Sequence, residues 1–107
     1  MSAGIIAGNC FSVSIIAQTI TAASVSANTT SEQDFTVPGL IVGDAVLVNP
    51  PGLTTGVVLT GARVKAAKTL SLQYQNTTAG GVVPLTGTHT ITVFRLDGTA
   101  PASRVLV

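Results

Sequence analysis

Charged residues are scarce in this chain. Asp, Glu, Lys and Arg together make up 8% of its 107 residues, and the formal net charge is +1. Soluble globular domains carry about 25% charged residues. Since 46% of the residues are hydrophobic, the chain can form one core, but it has too few charges to cover a free monomer, and a net charge near zero favours association. The composition therefore predicts a structural protein that works in an assembly, and it does not identify the partner.

Cysteine and long apolar runs are also lacking. Cys10 is the single cysteine, which excludes an intrachain disulfide and a cysteine-based zinc site. The longest apolar stretches are far shorter than the roughly 18 residues that a membrane-spanning helix needs. Residues 1–11 contain no Lys or Arg and so lack the basic segment of a secretion signal. We expect a protein that is made in the cytoplasm and has no membrane partner.

The residues that are present predict an all-β fold. Val, Ile and Thr dominate, and apolar residues recur at every second position rather than every third or fourth. Leu70, Leu72 and Tyr74 alternate with polar residues in this way. Val13 and Ile15 alternate with serines, which predicts that both face the core. Further strands are predicted at residues 24–27, 35–37, 45–48, 57–66 and 90–95.

Residues 57–66 form the longest of these predicted strands. Gly61 in its middle indicates a β-bulge or a close backbone approach. We expect Val58, Ala62 and Val64 to share one face of this strand, and Arg63 and Lys65 to share the other.

Turn-forming residues separate the strands, in several places at intervals of roughly 8 to 12 residues. They are Pro38-Gly39, Gly43-Asp44, Asn49-Pro50-Pro51-Gly52, Gly80-Gly81 and Asp97-Gly98. We therefore predict an antiparallel β-sandwich or jelly roll of about seven or eight short strands, with little or no helix.

The chain divides into one domain, residues 12–107, and a preceding segment, residues 1–11. That segment is small, apolar and uncharged, so it serves either as the first strand of the domain or as an arm that adds to a neighbour's sheet edge. Ile5 and Ile6 are its candidate contact residues. Residues 104–107 could add a last edge strand.

Side chains suited to catalysis are few. His89 is the single histidine, and it stands at the start of a predicted strand, where an exposed or hydrogen-bonded histidine is the ordinary case. A hydrolase needs a nucleophile, a positioned base and usually an orienting acid, and the sequence offers no such set. Phosphate-binding glycine loops are absent as well. We expect no enzymatic activity and no cofactor.

Glu32 and Asp34 lie two residues apart, so in an extended segment they would share a face and could help to hold a calcium ion. No third acidic residue is near them in sequence. A solvated loop is therefore the favoured interpretation, and we predict no metal site.

Arg63, Lys65 and Lys68 form the one local charge cluster. Protection of a sheet edge by positive side chains is the favoured interpretation, and a contact with an acidic partner surface or a sibling subunit is the alternative. Three charges with few aromatic residues make a poor nucleic-acid site. We predict no nucleic-acid partner and keep these three residues as candidate contacts.

Residues 34–95 contain several distinctive strings. They are Pro38-Gly39-Leu40 followed by Gly43-Asp44, the turn Asn49-Pro50-Pro51, "YQNT" at residues 74–77 and "TITVFR" at residues 90–95. In these strings the segment resembles the small β-sandwich structural proteins of tailed bacteriophages. The resemblance implies a virion component, a decoration or cement protein that sits on the outer capsid surface as an oligomer and stabilises joints between major capsid subunits. It implies no catalytic residues.

This resemblance and the low charge together predict a homo-oligomer, a trimer in preference to a dimer, whose partner is the major capsid protein. The alternative is a tail or tail-fibre component involved in host adhesion. Adhesion tips that bind sugars present aromatic side chains, and this chain has no Trp and one Tyr, so the capsid role is favoured.

Overall fold

A computed structural model describes residues 10–96 of the chain as an all-β protein. The six strands are β1 (Cys10–Ile20), β2 (Thr30–Thr36), β3 (Ala45–Asn49), β4 (Val57–Ala66), β5 (Thr69–Asn76) and β6 (Gly87–Leu96). The predicted fold class is confirmed, with six strands in the described part rather than seven or eight. Residues 10–96 form no helix, so none there has the length and hydropathy to span a membrane.

The strands form two antiparallel sheets of three strands each. The first sheet has the order β1-β6-β3, and the second has the order β2-β5-β4. In each sheet the central strand, β6 in the first and β5 in the second, comes later in the chain than the two strands beside it. This arrangement is consistent with a small β-sandwich. Strand β1 begins at Cys10, whereas Ile5, Ile6, the predicted turn at Asp97-Gly98 and the possible edge strand at residues 104–107 lie outside the described residues.

The core lies between the sheets and is aliphatic. Strand β5 contributes Leu70, Leu72 and Tyr74, and strand β6 contributes Ile91 and Val93, which confirms the alternation read from those two segments. The other buried hydrophobic residues are Ile20, Ala22, Val25, Val37, Leu40 and Val57. Val25 belongs to the predicted strand at residues 24–27, which is reduced to one isolated bridge, with Val82.

Strand β1 turns toward the core the face opposite to the one predicted. Val13 and Ile15 are exposed, whereas Ile16 packs against the core and Ile20 is fully buried. Register explains this, because Ile16 lies opposite the buried Ile91, and residues opposite each other in a sheet share a face. The prediction failed because both faces of β1 carry apolar side chains, so the alternation at Val13 and Ile15 does not say which face is inside.

Strand β4 contains the predicted bulge, between Leu59 and Gly61. Ala62 and Val64 pack against the core as expected, but Val58 is exposed. The expectation for Val58 was wrong because one extra residue changes the phase of a strand. Before the bulge Val57 and Leu59 face inward, and after it Ala62 and Val64 do.

Candidate interaction surface

Within residues 10–96, the outer face of the first sheet carries no charged side chain. Register places Val13, Phe94 and Ala45 in one row across the three strands, and Ile15, Thr92 and Leu47 in the next row. Opposed residues share a face, so these rows form one continuous surface. We call it the uncharged face; with a third row, it consists of Val13, Ile15, Ala17, Ala45, Leu47, Asn49, Thr90, Thr92 and Phe94.

Large apolar side chains on this face are open to solvent. Ile15 is 71% exposed, Leu47 is 64% exposed and Val13 is 45% exposed. Phe11, at the bulge where β1 begins, adds a side chain that is 67% exposed. Scattered single hydrophobic residues on a surface are ordinary, whereas a contiguous group of them marks an interaction site. The uncharged face is therefore the candidate interaction surface of the described chain.

The outer face of the second sheet has the opposite character. Arg63 donates two hydrogen bonds to the Glu32 carboxylate, from Nε at 2.7 Å and from Nη2 at 2.8 Å. Lys65 Nζ lies 3.0 Å from Asp34 Oδ2. Ser71, between these strands on β5, donates to Asp34 Oδ1 at 2.5 Å. We call this surface, which carries Glu32, Asp34, Arg63 and Lys65, the paired face. Its two positive and two negative charges cancel.

These contacts change the acidity of the two carboxyls. The hydrogen bonds from Arg63 hold the pKa of Glu32 below its ordinary value. The pKa of Asp34 is lowered first by the hydrogen bond from Ser71 and then by the one from Lys65. Both carboxylates stay ionised and paired at neutral pH, so this face presents little net field to an approaching partner.

Glu32 and Asp34 share a face as expected, but they lie on strand β2 and not in a solvated loop. The loop interpretation was wrong because β2 begins before the segment that the apolar pattern marked. Their oxygens are engaged by Arg63, Lys65 and Ser71. In the part of the chain that the structure describes, no group of three or more His, Cys, Asp or Glu side chains could hold a metal ion.

The three candidate basic residues do not form one positive patch. Arg63 and Lys65 share a face, as predicted, and each is paired with a carboxylate. Lys68 lies apart from them in the tight turn between β4 and β5. Strand β4 is an edge strand of the second sheet, which fits the interpretation of edge protection. Arg63 and Lys65 therefore offer a partner no unpaired charge, whereas the uncharged face offers exposed apolar side chains.

His89 is buried, and its side chain is hydrogen-bonded to the backbone of its own strand. Its Nδ1 lies 2.9 Å from the Gly87 carbonyl oxygen, the one hydrogen bond of this side chain within residues 10–96. This arrangement contains no nucleophile paired with the imidazole. The histidine is thus hydrogen-bonded, one of the two ordinary cases expected for it.

Sequence reasoning missed the uncharged face because it assigned Val13 and Ile15 to the core. A usable signal was present, since the segment from Phe11 to Ile20 has no charged residue and carries apolar side chains at both odd and even positions. Such a strand has a second apolar face that something else must cover.

No protein-family model, curated protein or solved structure matches the chain.

Proposed function

We propose that this protein is a structural component of a bacteriophage virion, a decoration or cement protein that binds the outer capsid through its uncharged face. The observation that carries the proposal is the contrast between the two sheets. One outer face exposes Val13, Ile15 and Leu47 with no charge among its residues, and the other holds all its charges in ion pairs. The resemblance to small phage β-sandwich proteins supports the capsid as the partner.

Energetics favour such a role for a many-copy protein. Burial of a large aliphatic side chain such as Ile15 or Leu47 contributes about 1.5–3 kcal/mol before the costs of association. A cement protein acts at joints that repeat over the whole shell, so a modest gain per copy stabilises the particle as a whole. An uncharged sheet face suits this work because it can be buried without stripping water from ions.

Self-association is part of the proposal. A homo-oligomer, a trimer in preference to a dimer, would place several uncharged faces on the shell at once, and linked contacts bind more tightly than single ones. Light scattering on the purified protein measures this state. A strict monomer at micromolar concentration would contradict the oligomer and leave the capsid contact to be judged separately.

The decisive measurement is the copy number of this chain in purified virus particles, by quantitative mass spectrometry against the major capsid protein. Copies in the hundreds support a cement protein that covers the shell. About a dozen copies would overturn the shell position and favour a tail or tail-fibre component. No copies would contradict the virion role altogether.

Point variants then test the face. Ile15→Lys and Leu47→Lys each place a charge in the proposed interface, and we expect capsid occupancy to fall by about tenfold or more, which corresponds to about 1.4 kcal/mol. The matched control is the double variant Glu32→Gln with Arg63→Gln on the paired face, which removes one complete ion pair and should leave occupancy unchanged. Equal occupancy for all three would contradict binding through the uncharged face.

A further inference from the structure

Four strands lie at sheet edges, β1 and β3 in the first sheet and β2 and β4 in the second. An edge strand presents unpaired backbone N–H and C=O groups, and native proteins protect it by short length, charge, proline or a bulge. Strand β3 has five residues and is followed by Pro50-Pro51. Strand β2 carries Glu32 and Asp34. Strand β4 carries Arg63 and Lys65 and has two irregularities of register. Three of the four edges therefore have such protection.

Strand β1 lacks these protective features along most of its length. Its 11 residues, Cys10–Ile20, include no charged residue and no proline. The one irregularity of its register lies at its start, between Cys10 and Ser12. Within residues 10–96, β1 pairs along one side only, with β6. Alternate residues of β1 therefore turn their backbone N–H and C=O groups away from the sheet.

The second sheet leaves this edge open. Strand β3 lies close to β4 on the other side of the sandwich, whereas the close contacts of β1 are mainly those with β6. A cavity of about 270 Å³ opens beside Ser12, Ser14 and Ile16 on the inner face of β1. Val13 and Ile15, on its outer face, are exposed. In the described part of the chain, the edge of β1 is thus accessible to a further strand.

We propose that β1 pairs with β1 of a second copy of this chain, antiparallel and about a two-fold axis at Ile15. The two three-stranded sheets then join into one continuous sheet. Ile15 is the middle residue of Cys10–Ile20, so this register pairs the longest run of both strands. It places Val13 opposite Ala17 of the second copy. Residues 12–18 would form about six to eight backbone hydrogen bonds between the copies.

Charge favours a second copy as the occupant of this edge. In a two-fold pair each residue near the axis lies beside its own counterpart, and like charges opposite each other are destabilising. Strand β1 carries no charge, so it can pair with itself without repulsion. The pairing also brings two uncharged faces side by side and leaves both open to a capsid. It makes a dimer, which differs from the trimer favoured above, and it does not depend on the capsid role.

Analytical ultracentrifugation of the purified full chain measures this contact. We expect dimers at micromolar concentration. Ile15→Lys should raise the dissociation constant of the dimer by about tenfold or more, because two like charges meet at the axis. An equal mixture of Ile15→Lys and Ile15→Glu should form dimers again, since opposite charges then face each other. Ile15 is 71% exposed, so both variants should keep the urea midpoint of the wild type.

Leu47→Lys is the matched control. It places the same charge on the same face but on β3, so the dissociation constant of the dimer should stay within about twofold of the wild type. A dimer that Leu47→Lys weakens as much as Ile15→Lys does would mean that the copies stack through their uncharged faces, and it would overturn the pairing of edges.

Cysteine cross-linking tests the register. At the axis the two Cα atoms of residue 15 lie about 4.5–5.5 Å apart, which a disulfide can bridge. Ile15→Cys in a Cys10→Ser background should therefore form covalent dimers on mild oxidation, and Leu47→Cys in the same background should not. Absence of the Ile15→Cys cross-link would overturn the proposed register.

A monomer or a trimer in solution would overturn the proposal. A monomer whose outward β1 amides are protected from hydrogen exchange would show that another part of the same chain covers this edge. None of these measurements involves a capsid, so their failure leaves the capsid role to be judged by copy number, and a failure of the capsid role leaves the dimer intact.

Discussion

Arg95 on β6 grips the carboxylate of Asp44 with two hydrogen bonds, from Nε to Oδ1 at 2.9 Å and from Nη2 to Oδ2 at 2.8 Å. Asp44 ends the turn that precedes β3, and its side chain is only 1% exposed. The same Nη2 donates to the Gly39 carbonyl oxygen at 2.7 Å, and the Ile41 amide donates to Asp44 Oδ2 at 3.0 Å. The hydrogen bonds of Arg95 to Asp44 and to the Gly39 carbonyl oxygen thus connect the double turn at residues 37–44 to β6, the central strand of the first sheet.

Replacing this carboxylate should weaken the fold at neutral pH. Asp44→Asn removes the charge that receives the Arg95 hydrogen bonds, and we expect the free energy of unfolding at pH 7 to fall by about 2 kcal/mol. Those hydrogen bonds hold the pKa of Asp44 below the ordinary value of 3.8. A lowered pKa contributes stability above the ordinary value and loses it as pH falls through the lowered one. The difference between wild type and variant should therefore shrink below pH 3.8.

Urea unfolding at pH 7 and at pH 3 measures this difference. Glu32→Gln is the control, since it removes a carboxylate from an exposed ion pair and should change stability less. An Asp44→Asn difference of the same size at both pH values would mean that the ionised carboxylate is not the source of the stability.

Lys68→Gly should stabilise the protein. Lys68 has a φ of 60° in the turn between β4 and β5, a left-handed conformation that strains a lysine but not a glycine. The backbone bonds of this residue, from its amide to Leu40 and from Val37 to its carbonyl, do not depend on the side chain. We expect a gain of about 0.5–1 kcal/mol in thermal or urea unfolding.

Asn28→Gly is the matched comparison, with a φ of 52°. Asparagine tolerates the left-handed region better than lysine does, so the gain there should be smaller. A loss of stability in Lys68→Gly would show that the lysine side chain makes a contribution that outweighs the backbone strain. Unchanged capsid occupancy in this variant would remove Lys68 from the candidate contacts.

Asn76 is the best-connected buried polar side chain in the described chain. Its Nδ2 donates to the carbonyl oxygens of Val25 and Gly80, at 2.9 and 2.8 Å, and its Oδ1 accepts from the amide and hydroxyl of Thr78. Asn76→Ala should lower the free energy of unfolding by about 2–4 kcal/mol, because several buried groups lose their partner together. Chemical denaturation checks this, with the exposed Gln75→Ala as the control expected to change little. A loss equal to that of the control would contradict the role of the network.

The sequence predicted those strands that have one apolar face. In β5 and β6 the alternation is unambiguous, and Leu70, Leu72 and Ile91 are buried where expected. The prediction from alternation failed for Val13 and Ile15, because in a strand that is apolar on both sides the alternation does not show which side is buried. It failed for Val58 because a bulge exchanges the buried and exposed positions along the strand.

The sites depend on contacts that sequence spacing does not reveal. Glu32 and Arg63 are 31 positions apart and meet only because β2 and β4 flank the same strand. Strand β1 lies at an edge because β6 takes the centre of its sheet. Both features follow from the order of strands, which the alternation pattern leaves undetermined.

The central position of β6 also governs the order in which the molecule can assemble during its synthesis. Strands β1 and β3 both pair with β6, which leaves the ribosome after them. Until β6 emerges, neither has its partner, whereas β4 and β5 form a local hairpin as soon as they are made. The nascent chain therefore carries strand Cys10–Ile20 without its partner until β6 has been made, and this is the interval in which wrong strand pairing between neighbouring copies competes with folding.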